Sequence, residues 1–421
     1  MRNYKNNSEM KYGVKPVTKV ELSEKNITIR IVLFVVLLFI GALGIGLFVN
    51  ELLKVDDGLQ EIKASVSGYS ISEDFSFNYQ LGEGDVSATK ENKAINSIYS
   101  SLIYNATLIF DEYSTLSDYH NLTYINGHIG EDIEVPEELY NALKAFYNYN
   151  SRNLFYAPIY KEYDSIMGAG LDSYASKFDP NKDASQLAHI QKLLNYINDE
   201  NHIKLSFYRN NVVKLTVSEE YQNFAKDNEY KRLLTLGSYK NAFIIDYLAN
   251  GLIEKEYCNG FILSNEGFFR SLNEKSYANY NLVDYVDDEA FSVANMSTGN
   301  GITICSYKTF PHLKDSYNYY IYEDKTIASK HVAKNGLNTH FTNNLICYGY
   351  SVSCVDLAFK TYELFLCESI DNGKVIDLKA QDGIYTIYFD NNNIIYNQDD
   401  LELNDLFDNG SLKYNMVKYN G

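Results

Sequence analysis

A chain of 421 residues with 45% hydrophobic content is long enough to bury a core of its own, and 55 acidic against 37 basic residues give it a net charge of −18. That balance excludes a nucleic-acid partner, whose phosphates need a basic face, and it requires that any anionic ligand be met by a local basic cluster or a bound cation. Five cysteines, all from Cys258 onward and without a CxxC pair, and seven scattered histidines predict neither a disulfide framework nor a structural metal site.

The first 30 residues carry seven Lys/Arg against three Asp/Glu, a net of +4 that leaves −22 for the remainder. Ile31 to Val49 is then an uninterrupted apolar and glycine run, long enough to cross the roughly 30 Å hydrocarbon core of a bilayer. The cations lie before it, while Lys54 and Lys63 stand among Asp56, Asp57 and Glu61 after it. The positive-inside rule therefore predicts a cytoplasmic tail over residues 1–30, a single-pass signal anchor in the cell membrane over 31–49, and an extracytoplasmic remainder. A cleaved signal peptide is the competing reading; the length of the run and the lack of an Ala-x-Ala site after it favour the anchor.

Residues 50–67 read as a linker, with Lys54 to Ser65 a short helical or linker segment, and alternation near Tyr69 to Tyr79 predicts a strand pair entering a domain over 68–397. Ile95, Ile98, Leu102, Ile103, Ala106, Ile109 and Phe110 recur at helical spacing and predict a helix laid on a core. Pro136 at a first-turn position, with Glu137 and Glu138 beside it, announces a second helix whose stripe is Leu139, Ala142, Leu143 and Phe146. Gly168 to Ala184 reads as a loop and His189 to Asn198 as a helix. Ile203–Tyr208 and Val212–Val217 read as a hairpin across Arg209, Asn210 and Asn211. A helix from about Lys240 to Glu254 feeds an apolar strand, Gly260–Ser264. A strand over Tyr317–Tyr322, a helix over about Asp356–Cys367 and strands over Ile384–Phe389 and Ile394–Tyr396 complete the domain, before an acidic C-terminal tail over 398–421. The mixed order predicts an α+β fold.

Several strings in this order carry ligand chemistry. Leu236-Gly237-Ser238-Tyr239-Lys240-Asn241-Ala242-Phe243-Ile244-Ile245-Asp246 is a glycine turn opening a helix, which offers free N–H groups and the positive end of the helix dipole to a phosphate; lysine belongs there for the same reason. Ser264-Asn265-Glu266-Gly267 ends a strand in a turn and sets a carboxylate beside it. Ser329-Lys330-His331-Val332-Ala333-Lys334-Asn335-Gly336 puts a lysine and a histidine in one loop. Val355-Asp356-Leu357-Ala358-Phe359-Lys360-Thr361 opens a helix with a carboxylate and a hydroxyl, the oxygen ligands a hard cation takes, although Asp356 equally suits a helix start. Asp111-Glu112-Tyr113-Ser114, the segment Asn121 to Asn126 and Phe155-Tyr156-Ala157-Pro158-Ile159-Tyr160 are, by composition, ordinary core and turn residues.

Taken together, from roughly Tyr69 to Asn397, these strings resemble the ApbE-type flavin transferases, which move FMN from FAD onto a protein Thr or Ser. The resemblance implies catalytic roles for Asp356 and His331, and cofactor contacts from Gly237, Ser238, Lys240, Asn241, Asp246, Asn265, Glu266 and Lys330. It also implies a magnesium ion held by Asp356 and Thr361. The chain departs from the family pattern in several columns. Its lysine stands one position early, leaving Asn241 in the lysine column, and Ser238 replaces the second glycine of the turn. Asn265 and Glu266 occupy a Gly-Gly turn, Lys330 replaces the first of two histidines, and Lys360 stands at the threonine, where an ammonium would repel the metal.

The expectation is a kept fold with a diverged catalytic site: a membrane-anchored, extracytoplasmic flavin-transferase-like domain that binds a flavin, a nucleotide or an envelope protein without efficient catalysis. In that reading Lys240, Lys330 and Lys360 take the place of the cation. Two alternatives stay open. One is an active magnesium-dependent FAD:protein FMN transferase with a protein flavin acceptor; the other is a cell-envelope scaffold.

Overall fold

The computed structural model describes residues 27–52, 54–66, 71–114, 116, 119–272, 279–298, 301–312 and 316–419. It divides into two units, residues 1–55 and 56–421. In the first, helix α1 (Ile27–Leu52) contains the apolar stretch Ile27–Ile45, with a mean hydropathy of 2.6, and its described side chains are exposed. A helix apolar on every face has none to offer water, and this one is long enough to cross a membrane. It begins before the predicted Ile31 and ends after Val49. Residues 1–26, most of the predicted cytoplasmic tail, lie outside the described residues, as does Tyr69.

The second unit is organised by a nine-stranded sheet whose spatial order is its chain order: β1 (Gly58–Ile62), β2 (Phe75–Leu81), β3 (Gly260–Ser264), β4 (Phe268–Ser271), β5 (Ile302–Lys308), β6 (Asn344–Tyr350), β7 (Ile384–Asp390), β8 (Asn393–Tyr396) and β9 (Asn415–Lys418). Every neighbouring pair is antiparallel except β8 with β9. In β2 the residues Phe75, Phe77, Tyr79 and Leu81 are buried and those between are half-exposed, the alternation of a strand with one covered face. All seven residues of β5 and the first six of β6 are buried, so these central strands lack that alternation and no strand is predicted from them.

The helices of this unit include α2 (Ala88–Phe110), α3 (Ala157–Met167), α4 (Lys240–Ile253) and α5 (Cys354–Phe365). As its spacing predicts, α2 buries Ile95, Ile103, Ala106, Ile109 and Phe110. It packs on α4, which packs in turn on α5 and on the sheet. On another part of the sheet, Phe269, Ile304, Ile346, Ile387 and Ile394 form a core with Leu282, Val293 and Tyr414. Each such buried side chain contributes about 1.5–3 kcal/mol against exposure.

Several predicted elements need correction. Lys54 to Ser65 is neither helix nor linker, because β1 pairs there with β2. The loop over Gly168–Ala184 contains the helix Asp172–Phe178. Tyr317–Tyr322 splits into a 3-10 turn and the strand Tyr319–Ile321. The acidic segment after Gln398 is not a tail: Leu403–Asn404 pairs with the strand Glu289–Ser297, and β9 ends the sheet. Its apolar residues explain the difference, since Tyr414 is 2% exposed and donates to Asp284 at 2.7 Å. The hairpin stands as predicted, with Asn210 and Asn211 at φ of 59° and 56°, a region asparagine tolerates.

Candidate functional site

The site begins with a buried acid. Glu112, just past α2, accepts a hydrogen bond from the Thr235 hydroxyl at 2.8 Å and another from the Leu236 N–H, which fixes the segment entering α4. Thr235 Oγ1 in turn accepts from the Gly237 N–H at 3.0 Å. Gly237 has a φ of 52°, and a Cβ there would lie 2.7 Å from the Tyr160 ring, so both the backbone conformation and the close approach require glycine. Residues 237–239 form one 3-10 turn, and α4 starts at Lys240 with no acid in its first turn.

This turn forms one wall of a cavity of about 360 Å³, completed by α3, the β3–β4 turn, the end of β5 and the loops holding Tyr317 and Lys330. Seven of the predicted residues line it: Gly237, Ser238, Lys240, Asn241, Glu266, Lys330 and His331. Four cations converge there, Arg232, Lys240, Lys308 and Lys330. Arg232 and Lys240 lie over the Tyr113 ring, 4.2 and 5.8 Å from its centre, and Lys308 is only 6% exposed. Four acids line the same cavity, Asp74, Glu112, Asp164 and Glu266. Glu112 holds the turn, and Asp164 pairs with Lys330 at 2.8 Å. Burial pushes the Glu266 carboxyl up against the pull of Lys240, which favours its neutral form.

At the rear, Ser238 Oγ lies 2.9 Å from the Tyr362 hydroxyl and His331 Nδ1 lies 3.2 Å from the same oxygen. The network closes when Ser238 donates to Tyr362 and Tyr362 to Nδ1, leaving the imidazole proton on Nε2. Burial, with His340 and Lys308 nearby, lowers the His331 pKa to about 3, so the ring is neutral at physiological pH. Tyr113, Tyr160, Tyr307, Tyr317, Tyr319 and Phe268 supply aromatic surface on which a planar ring can stack.

Four predicted residues lie outside this lining. Asp246 is buried against Arg270 and accepts from the Cys354 and Val355 N–H groups at 3.0 and 2.9 Å, so it caps the start of α5. Asn265 donates to the Glu73 carbonyl at 3.0 Å and ties the β3–β4 turn to the segment before β2. Asp356 accepts from the Tyr149 hydroxyl at 2.6 Å. Thr361, fully buried, donates to the Leu357 carbonyl at 2.7 Å and meets Tyr307 at 3.0 Å. Asp356 and Thr361, the metal pair implied by the resemblance, stand five positions apart on a helix, point about 140° apart, and each has another partner here. Lys360 also leaves the expected place, pairing with Asp382 at 2.7 Å. Among the described residues no group of three or more His, Cys, Asp and Glu side chains converges as a metal site would. Sequence reasoning missed Arg232, Lys308 and Asp164. A lysine ending the apolar run Ile302–Tyr307 was the one available signal for Lys308.

Neither a protein-family model nor a curated protein matches the chain in sequence. Solved structures do match in shape. The flavin transferase ApbE from Vibrio cholerae has a TM-score of 0.53 at 12% identity, over 83% of this chain and 97% of that one. The ApbE protein of Thermotoga maritima has a TM-score of 0.50 at 12% identity, over 78% and 94%. With the sheet, the helix order and the turn into α4 in place, the chain has the fold of the ApbE flavin transferases, carried by a distant sequence.

Proposed function

We propose that the cavity binds a flavin nucleotide through fixed lysine and arginine charges, without a divalent cation and without efficient group transfer, in a protein anchored to the membrane by α1 with its second unit outside the cytoplasm. The observation that carries this reading is that Arg232, Lys240, Lys308 and Lys330 line one cavity whose acids include Glu112, bonded to the turn, and Glu266, whose neutral form burial favours. Phosphates met by these groups form charge-assisted hydrogen bonds of about 1.5–3 kcal/mol each. The start of α4 adds the positive end of its dipole, although the N–H groups expected to be free there are taken: Leu236 donates to Glu112, Gly237 to Thr235, Tyr239 to the Leu236 carbonyl and Lys240 to the Gly237 carbonyl. A cavity of about 360 Å³ with tyrosine walls suits an aromatic ring attached to a phosphate.

A flavin nucleotide fits these residues; magnesium does not. Asp246 is committed to Arg270 and the α5 amides, Asp356 to Tyr149, and Thr361 to the core. In this reading Lys240 and Lys308 neutralise the phosphates, the tyrosines orient the ring and exclude water, and neutral His331 holds Tyr362 and Ser238 at the rear. One alternative, an envelope scaffold, predicts no flavin binding. Titrating the full-length chain in detergent micelles with FAD and FMN, followed by flavin fluorescence, separates the two. Saturable quenching that weakens as salt rises is the expected result, and no binding at any salt concentration would leave the scaffold.

A further inference from the structure

A second cavity, of about 440 Å³, shares no lining residue with the first and lies between the helix Glu137–Asn148, the turn Arg152–Phe155 and the strand Ile203–Phe207. That strand is the end strand of a three-stranded sheet. Two bonds bracket its ladder with Val212–Val217: Ser218 N–H to the His202 carbonyl and Tyr208 N–H to the Val212 carbonyl, both 2.8 Å. Antiparallel ladders alternate, so the even-numbered residues bond inward and the N–H and C=O groups of Ile203, Leu205 and Phe207 turn to the outer edge. Ile203 is closed there, its N–H bonded to the Asp199 carbonyl at 3.1 Å and its own carbonyl taken by Arg152 at 2.9 Å. Leu205 and Phe207 both line the cavity, so an open stretch of edge backbone borders a groove walled on its other side by a helix.

The charge of this groove opposes that of the protein. Lys144, Arg152 and Lys204 line it against a single acid, Glu200, which stands 3.9 Å from Arg152. Lys144 and Lys204 are exposed. A lysine on an edge strand discourages pairing with a neutral or basic strand, and its charge complements that of an acidic one. Phe207, set against Tyr140 and Tyr147 at 5.5 and 6.1 Å between ring centres, offers apolar surface for every second side chain of an incoming strand.

We propose that this groove docks an extended acidic segment of a partner protein, which adds a strand along Leu205 and Phe207 and sets its carboxylates against Lys144 and Lys204. The test uses the full-length chain in micelles and a fluorescein-labelled short peptide alternating valine with glutamate, with a valine–lysine peptide as control. The glutamate peptide should bind, K144E/K204E should weaken it about tenfold or more, and amide exchange at Leu205 and Phe207 should slow on binding. Both substitutions are at exposed positions and leave the fold intact. Equal binding of the two peptides overturns the proposal, as does binding without protection at those amides. Self-association of the chain that K204E abolishes would also overturn it, in favour of a second copy as the occupant.

Discussion

The starts of α4 and α5 both carry resemblances to the flavin transferases, and the fold uses them in opposite ways. Before α4, Gly237, Ser238 and Lys240 stand at a cavity wall with Arg232, Lys308 and Lys330 around them. Before and within α5, the acid and hydroxyl of the expected metal site are bonded to Tyr149, Leu357 and Tyr307, while Asp246 caps the helix. The difference lies in what each ligand demands. A phosphate can be met by cations that also stack on tyrosines, whereas a metal needs several free oxygens in one place, and here those oxygens serve the scaffold.

The sharpest way to break this contrast is at Asp246. Replacing it with alanine leaves the partly buried Arg270 without its carboxylate and the Cys354 and Val355 N–H groups without their acceptor, and should cost about 3–5 kcal/mol in urea unfolding. A loss of flavin binding at unchanged stability would instead mark Asp246 as a ligand contact. Next come the cavity lysines. Lys240→Gln and Lys308→Gln should each weaken FAD binding about ten- to a hundredfold, measured by fluorescence titration. Lys360→Gln should leave it unchanged, because Lys360 is held by Asp382.

His331 sharpens the comparison through pH. Its folded pKa of about 3 lies below the ordinary 6.5, so the unfolded chain binds the proton first. The stability it contributes is complete above pH 6.5 and is lost as pH falls toward 3. His331→Gln should therefore flatten the acid-side loss, on the order of 2 kcal/mol between pH 6.5 and 4 after allowance for partial exposure, as urea unfolding at each pH would register. The smallest effect belongs to Asp356→Ala. Only its bond to Tyr149 is lost, about 1 kcal/mol or less, with no change in flavin affinity.

What could be read in the sequence was what is local. The stripe of α2 and the Asn210–Asn211 turn announce themselves because periodicity and turn chemistry are properties of neighbours. The glycine turn into Lys240 did so for the same reason. Strands β5 and β6 escaped because both of their faces are covered, which erases alternation. The segment after Gln398 escaped because acids flank Leu403 and Phe407, which the fold nevertheless half-buries, and because Tyr414 is buried only through its place in the fold. The roles of Asp356 and Asp246 were set by partners far along the chain, Tyr149 in one case and the Cys354 amide in the other, and no local pattern encodes either. Lys308 depended on a strand that had not been identified.

In the proposed site fixed cations, and not a metal, hold the ligand. The most direct measurement is FAD titration of the full-length chain with magnesium and again after EDTA, followed by flavin fluorescence and by chromatography for AMP. Fixed cations predict the same affinity in both conditions and no AMP. Affinity that collapses with the chelator, or AMP released only with magnesium, would contradict them and return the chain to the catalytic side of its fold.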